Sequence, residues 1–435
     1  MKILFIQPRQ LITPSFFQKI ATNVANQHWL ALLQLAAVTP DEYSIKMIDE
    51  RYANIDFNEE CDIVLVSCFT RYAPRAYQVA DEFRRRGKTV ILAGHHASIL
   101  TDEAKQHADS VIIGEPETTW YRVLNDFKNK NLKSFYKKEL PTDVKQVPRH
   151  KTDIEGFFQH SPRVETSRGC PYSCEFCQIP NENIEGYLHL RDINDVLEEI
   201  KSMKSKYFFF ADNSMTIDAE RTKELFKSMK GLNKIFSCYG HPSVLNEDEE
   251  LLDLSKEAGC ICWFMGLESI SQSTINGLNK KTNRVVEYKS VVKKLHERGI
   301  AATGHFIFGF DTDTKDIFDL TIDAILHDLE LDVVTFMILT PIPGSPLFDR
   351  LEKERRIITY DWSKYTGRHA VFKPKNMTPE ELEEGMWKVG KICNSFSNCI
   401  KRTLKSFKLG FYPAVFTLQS NFYQMEFYRN KGLGI

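Results

Sequence analysis

Three cysteines, Cys170, Cys174 and Cys177, stand within eight positions of the stretch SRGCPYSCEFCQIP, in a chain of 435 residues with ten cysteines in all. The loop-like sequence around Pro171 offers three thiols little core to pack into, so their types and spacing read as a donor set for metal chemistry. A structural zinc ion would need a fourth ligand, for which His150 and His160 stand upstream, but gaps of four and then three are not a common zinc spacing. The other metal reading is a four-iron cluster on three thiolates, with one iron left open to a small molecule that offers an amine and a carboxylate. Two carboxylates stand at the ends of apolar runs. Asp212, followed by Asn213, ends the apolar run YFFF, and Glu268 ends CICWFMGL. A carboxylate at the end of a buried strand needs a partner or a ligand.

The elements that must position these residues are legible in the alternation of the chain. KILFIQ, YSIKMID, DIVLVSCF, TVILAG and SVIIGEP read as buried strands, with HWLALLQLAAVT and PRAYQVADEFRRRG as helices between them. Such alternation predicts an α/β fold with a Rossmann-like, doubly wound parallel sheet over residues 1–145. Ligands of such sheets lie at the carboxyl ends of the strands, which here carry Gln7 and Pro8, Asp49 and Glu50, Cys68, Phe69 and Thr70, Gly94, His95 and His96, and Gly114 and Glu115. A polar stretch at 141–153 reads as a linker. From Arg163 a second series begins: RVETSRG, YFFFADN, KIFSCYG, CICWFMGLES, AATGHFIFGF and VVTFMILTPIPG. Six strand–helix units predict a partial TIM-type (β/α)6 barrel over 146–350, too short for a closed eight-unit barrel. The remainder, 351–435, reads as a mainly helical module, with a capping box from Thr378 to Glu381.

Composition excludes more than it selects. Hydrophobic residues make up 42%, charged residues 26%, and the net charge is −1, so nothing global points to nucleic acid. The N-terminal MKILFIQP is too short for the apolar core of a signal peptide, and no run approaches the roughly eighteen apolar residues of a membrane span. Scattered cysteines without a framework spacing suit a reducing cytoplasm.

C-x3-C-x2-C after a strand resembles the signature of the radical SAM superfamily. FFFADNS, MGLES, GHFIFGF and TPIPGSPLF follow in the order of the branch that carries an N-terminal cobalamin-binding-type domain, and the resemblance covers essentially the whole chain. It implies a [4Fe-4S] cluster on Cys170, Cys174 and Cys177 that cleaves S-adenosylmethionine to a 5′-deoxyadenosyl radical. It further implies that Phe176, Asp212, Asn213, Glu268 and Gly309 lie against S-adenosylmethionine. All but Gly309 also have a plainer reading: loop packing for Phe176, helix capping by Asp212, Asn213 or the neighbouring Ser214, and a structural ion pair for Glu268. His305 and Cys262 read as core residues.

The resemblance implies cobalamin at Gly94, His96, Gly114 and Glu115. The D-x-H-x-x-G pattern that supplies a histidine to cobalt is absent, and AGHHAS at 93–98 replaces the usual G-G-P-H-A. With cobalamin, the expected reaction is methylation of an unactivated carbon. Without it, the same barrel would perform a radical rearrangement, dehydration or carbon–carbon bond formation. A non-catalytic iron–sulfur redox or binding module is the remaining alternative. Expected partners are a small-molecule or lipid-like substrate and an electron donor such as flavodoxin or ferredoxin. Residues 393–435 hold nine Phe or Tyr and six Lys or Arg against the single acid Glu426. That tail reads either as a helical pair packed on the barrel or as a membrane-surface contact.

Overall fold

The computed structural model describes residues 1–10, 30–137, 162–179, 188–280 and 282–430. The expected linker and domain boundary near 145, with His150 and His160, fall outside them. Strands β1 (Lys2–Gln7), β2 (Ser44–Asp49), β3 (Ile63–Ser67), β4 (Thr89–Ala93), β5 (Ser110–Ile113) and β6 (Phe135–Lys137) form one sheet in the order β2-β1-β3-β4-β5-β6. Every pairing in it is parallel. Its strands are near-continuous Ile, Leu and Val because both faces are covered. Helix α1 (Leu30–Ala37) packs on one face with Phe5 and Trp120. On the other lies α2 (Ala73–Arg85), through Ala76, Val79, Ala80 and Phe83. Strand β6 was not anticipated: three residues with two exposed carry too little apolar signal.

The second sheet comprises β7 (Arg163–Val164), β10 (Tyr207–Phe210), β11 (Ile235–Gly240), β12 (Cys260–Glu268), β13 (Ala301–Phe308) and β14 (Val333–Ile338). All pair in parallel in the order β14-β13-β12-β11-β10-β7, the six-stranded open barrel that the sequence predicts. RVETSRG does not form one strand. After β7 the chain leaves the barrel, and β8 (Ser167–Gly169) pairs antiparallel with β9 (Leu188–Leu190). Strand alternation explains the triple phenylalanine of β10. Phe208 and Phe210 join the core outside the barrel, while Phe209 turns inward against Tyr239 and Phe264.

Three C-terminal helices close the open side: α3 (Pro379–Cys393), α4 (Phe396–Ser406) and α5 (Phe411–Arg429). Helix α3 starts at the predicted capping box, in which Thr378 and Glu381 exchange hydrogen bonds. The Tyr428 hydroxyl accepts from Phe336 N at 2.7 Å and donates to Phe336 O at 3.0 Å, standing in for a neighbouring strand at the edge of β14. Gly390 leaves room for that ring, which an added methyl would overlap. Among the described residues, no helix is long and apolar enough to cross a membrane.

Candidate functional site at the barrel mouth

Gly169, at a left-handed φ of +92°, turns the chain out of β8 into the cysteine loop. Asp212 and Asn213 hold this entry in place. Asp212 accepts from Thr166 N at 3.0 Å, Thr166 Oγ1 at 2.8 Å and Ser167 Oγ at 2.5 Å. Asn213 Nδ2 donates to Gly169 O at 2.8 Å. Both side chains therefore brace the residues just before Cys170. Burial pushes the Asp212 carboxyl up, and the hydrogen bonds from Ser167 and Thr166 oppose it. Helix capping falls instead to Ser214, which accepts from Thr216 N.

The cysteine loop is fastened on its other side by a residue the sequence reading missed. Arg350 donates to Glu175 at 2.5 Å and to Asp311 at 2.8 Å, and Leu347 N donates to Glu175 O at 3.0 Å. Burial alone would raise the Asp311 carboxyl, but hydrogen bonds from Arg356 and Lys375 hold it down at about 2. Cys170, Cys174 and Cys177 are half-buried and in no disulfide. Burial pushes the Cys170 and Cys174 thiols up, and the Lys280 ammonium pulls both down. Among the described residues no three side chains converge on the position of a single metal ion, so the fit to a wider, thiolate-bound cluster rests on three free thiols on one loop beside a cation.

Glu268 lies beside them. At the end of β12 the register with β13 shifts between Gly266 and Glu268, and Glu268 takes a left-handed φ of +63°. That conformation costs a non-glycine residue about 1–3 kcal/mol and persists only where surroundings enforce it. The enforcers are Lys280, Asn283 and Tyr288. The Lys280 ammonium bonds the Glu268 carboxylate and, at 2.9 Å, Gly266 O. Asn283 Nδ2 donates to Gly266 O at 2.8 Å, and the Tyr288 hydroxyl to Leu267 O at 2.7 Å. A methyl on Gly266 would overlap both members of the ion pair. The signal for these partners was the polar run NKKTN at 279–283, which propensity alone reads as a turn.

Two cavities adjoin the loop. One, of about 270 Å³, is lined by Phe176, Leu278, Phe310, Asp311, Thr312 and Leu339, among others, with Phe176 and Phe310 edge to face at 6.2 Å. Gly309 is set back from it. Its N–H donates to Asp313 at 2.9 Å, and a Cβ there would strike Leu382 of α3. Packing and a φ of +105° therefore account for this glycine. Burial pushes Asp313 up to about 6 against the Gly309 and Phe310 N–H groups.

The other cavity, of about 360 Å³, lies between the two sheets. Phe69, Thr70, Arg71 and His95 line it from the first, Ile307 and Met337–Thr340 from the barrel, and Phe176 and Gln178 from the cysteine loop. Of the four positions expected to serve cobalamin, the structure brings none to this lining. Gly94 packs on the Cys68 carbonyl, where a Cβ would come within 2.7 Å. His96 is fully buried, against Thr70, Glu103 and the Trp362 ring. Gly114 N donates to Ser98. Glu115 pairs with Arg168 at 3.6 Å, which also binds Glu117 and Glu165 at 2.9 Å each. This four-residue cluster ties the first sheet to the strand that precedes Cys170. His95 faces the cavity in place of its neighbour, with Nε2 3.1 Å from Pro343 O, because successive residues of a helical turn point about 100° apart. Ala93 points into the sheet core, so its methyl does not crowd the cavity.

The barrel lumen carries an aromatic wall of Phe209, Tyr239, Phe264 and His305, the last stacked on Phe264 at 5.8 Å. Arg163 lies over Phe209 at 5.0 Å with no carboxylate partner among the described residues. Neither Arg163 Nε nor His305 Nε2 has a hydrogen-bond partner there. Burial, reinforced by Lys280, holds His305 down at about 4. Cys262 is fully buried near Thr303, with its thiol pushed up by burial.

The site thus sets three thiols at the mouth of an open parallel barrel topped by a Rossmann-like sheet. The radical SAM superfamily model matches residues 164–325. Bacteriochlorophyllide d C-12(1)-methyltransferase of Chlorobaculum tepidum is 30% identical over 391 residues, 86% of this chain and 84% of that protein. The C-8(2)-methyltransferase of the same organism is 30% identical over 374 residues, 80% of this chain and 82% of its own. The cobalamin-dependent S-adenosylmethionine radical enzyme OxsB superposes with a TM-score of 0.67 at 15% identity, over 97% of this chain and 72% of that one. The methyltransferase TsrM of Kitasatospora setae superposes at 0.64 and 15% identity, over 81% and 75%. The chain belongs to the radical SAM superfamily. It is an enzyme of that superfamily, which works with a [4Fe-4S] cluster and S-adenosylmethionine.

Proposed function

We propose that this enzyme methylates an unactivated carbon of a small organic substrate, with cobalamin as the methyl carrier. The observation that carries the reading is the cavity in which Phe69, Thr70, Arg71 and His95 face Met337–Thr340 and the cysteine loop, a place where the strand ends of both sheets converge. The two methyltransferases at 30% identity, whose names give bacteriochlorophyllide d as substrate, support methyl transfer. When bound, the cluster and S-adenosylmethionine supply a carbon radical and cobalamin supplies a methyl group.

This chain's residues do the rest. Cys170, Cys174 and Cys177 hold the cluster, on a loop fixed by Asn213 at one end and Arg350 at the other. Phe176 and Phe310 would flank the adenine of S-adenosylmethionine in the smaller cavity. Glu268 and Lys280 present opposite charges beside Cys174, complementary to the ammonium and carboxylate of S-adenosylmethionine. Arg163 and His305 engage polar or anionic groups of the substrate along the aromatic wall. The electron that such a cluster needs would come from a one-electron donor of the flavodoxin or ferredoxin kind.

The test is anaerobic reconstitution with iron and sulfide, then incubation with hydroxocobalamin, desalting and an ultraviolet–visible spectrum, with a 5′-deoxyadenosine assay on the same sample. About one retained cobalamin per chain is expected. A cluster that cleaves S-adenosylmethionine while no cobalamin is retained would refute the methylation reading and favour radical chemistry without methyl transfer. Zinc in place of iron would refute the cysteine assignment.

A further inference from the structure

We propose that the α4–α5 hairpin docks this enzyme on an anionic lipid bilayer. From Gly385 to Met425 the chain has no aspartate or glutamate but has Lys388, Lys391, Lys401, Arg402, Lys405 and Lys408, against a whole-chain net charge of −1. The hairpin is firmly anchored from beneath. Buried Arg402 donates to Cys393 O at 2.7 Å, Asn394 at 2.8 Å and Asn421 at 2.9 Å, and Asn421 donates to Asp332 O at 3.0 Å. Cys399, Thr403 and Ser406 complete the inward face of α4.

The outward face has a register that solvent alone does not explain. Phe396, Ile400 and Leu404 recur at steps of four along α4, Phe407 and Phe411 stand in the turn and at the start of α5, and all are exposed, Phe396, Leu404 and Phe411 by 69%, 63% and 71%. On α4 such steps keep side chains on one helical stripe. Lys401, Lys405 and Lys408 each follow one of these residues, so a basic stripe runs alongside the apolar one. Leu418 and Phe422 extend the apolar stripe on α5. The two helices adjoin at both ends, through the turn from Phe407 to Phe411 and through a groove of about 830 Å³ that Phe396 and Phe422 share with Lys391 and Arg429. Exposed Lys206, 2.8 Å from the Tyr412 hydroxyl, adds a further cation. The acids that meet these cations are Asp319, 2.6 Å from Lys388, Glu330, 3.0 Å from Lys405, and buried Glu426, 2.7 Å from Arg429.

Large apolar side chains beside a row of lysines are the pattern of a helix that lies in the headgroup region, rings in the acyl boundary and ammonium groups on lipid phosphates. A second copy of this chain would bring its own row of lysines against this one, so the charge disfavours self-association and matches an anionic bilayer.

The experiment is flotation of the full chain with vesicles of phosphatidylcholine alone and of phosphatidylcholine with an equal part of phosphatidylglycerol, with light scattering on the free protein. Flotation with the phosphatidylglycerol vesicles and weakening by salt are expected. Each of Lys401→Gln and Lys408→Gln should lower the partition coefficient about fivefold. Phe407→Ser or Phe411→Ser should lower it at least tenfold, with circular dichroism and iron loading unchanged because both side chains are exposed. Failure to float at low salt would overturn the proposal. So would equal flotation with both vesicles, or a dimer in solution that Phe407→Ser dissociates.

Discussion

The Glu268–Lys280 pair gives the sharpest test of the site's construction. Its side chains are 8% and 9% exposed, so solvent screens the pair little. Removing one partner of a buried pair typically costs about 3–5 kcal/mol, because the remaining charge is left uncompensated. Lys280→Met also takes a donor from Gly266 O, which Asn283 continues to serve. We expect Lys280→Met to destabilise the apoprotein by about 3–4 kcal/mol and Glu268→Gln by about 2–3, since the amide still accepts from the ammonium. The double variant should cost less than the sum by about 2 kcal/mol, the coupling expected of groups in direct contact. Urea unfolding of the cluster-free protein, followed by fluorescence and circular dichroism, measures all four corners of the cycle. A coupling below about 0.5 kcal/mol would mean that the pair does not hold the Glu268 bulge.

Three further outcomes follow from the same geometry. Asn213→Ala should leave the fold intact but lower iron retention after desalting several-fold, since it frees Gly169 O beside the first cysteine; unchanged iron content would remove Asn213 from the site. Asp313 titrates in the folded state at about 6, above its ordinary 3.8, so its contribution to stability is full below about pH 4 and is lost as pH rises through 6. The stability of wild type relative to Asp313→Asn should therefore fall by about 3 kcal/mol between pH 4 and 7, and a gap constant with pH would refute the buried carboxyl. Arg163→Gln should raise the substrate KM at least tenfold while 5′-deoxyadenosine formation in the absence of substrate stays at the wild-type rate, and the reverse pattern would place Arg163 on S-adenosylmethionine.

The local pattern of the chain determined the class of this protein. Runs of buried β-branched and aromatic residues between amphipathic helices specify parallel sheets, because their hydrophobicity must be covered on both faces; C-x3-C-x2-C specifies a donor set through covalent spacing alone. Side-chain partners distant in sequence were decided only by tertiary structure. Lys280 finds Glu268 across a bulge, Arg350 reaches back to Glu175 from the end of the barrel, and Arg168 gathers Glu115 and Glu117 from another sheet. Asp212, Asn213 and Gly309 stand at strand ends, as their positions implied, yet hydrogen bonds and packing give them positioning tasks. His95 and His96 differ by one residue in the chain, but one faces the cavity and the other is buried. Composition cannot separate such neighbours, because the direction of a side chain is fixed by the start of a helix and by what packs against it.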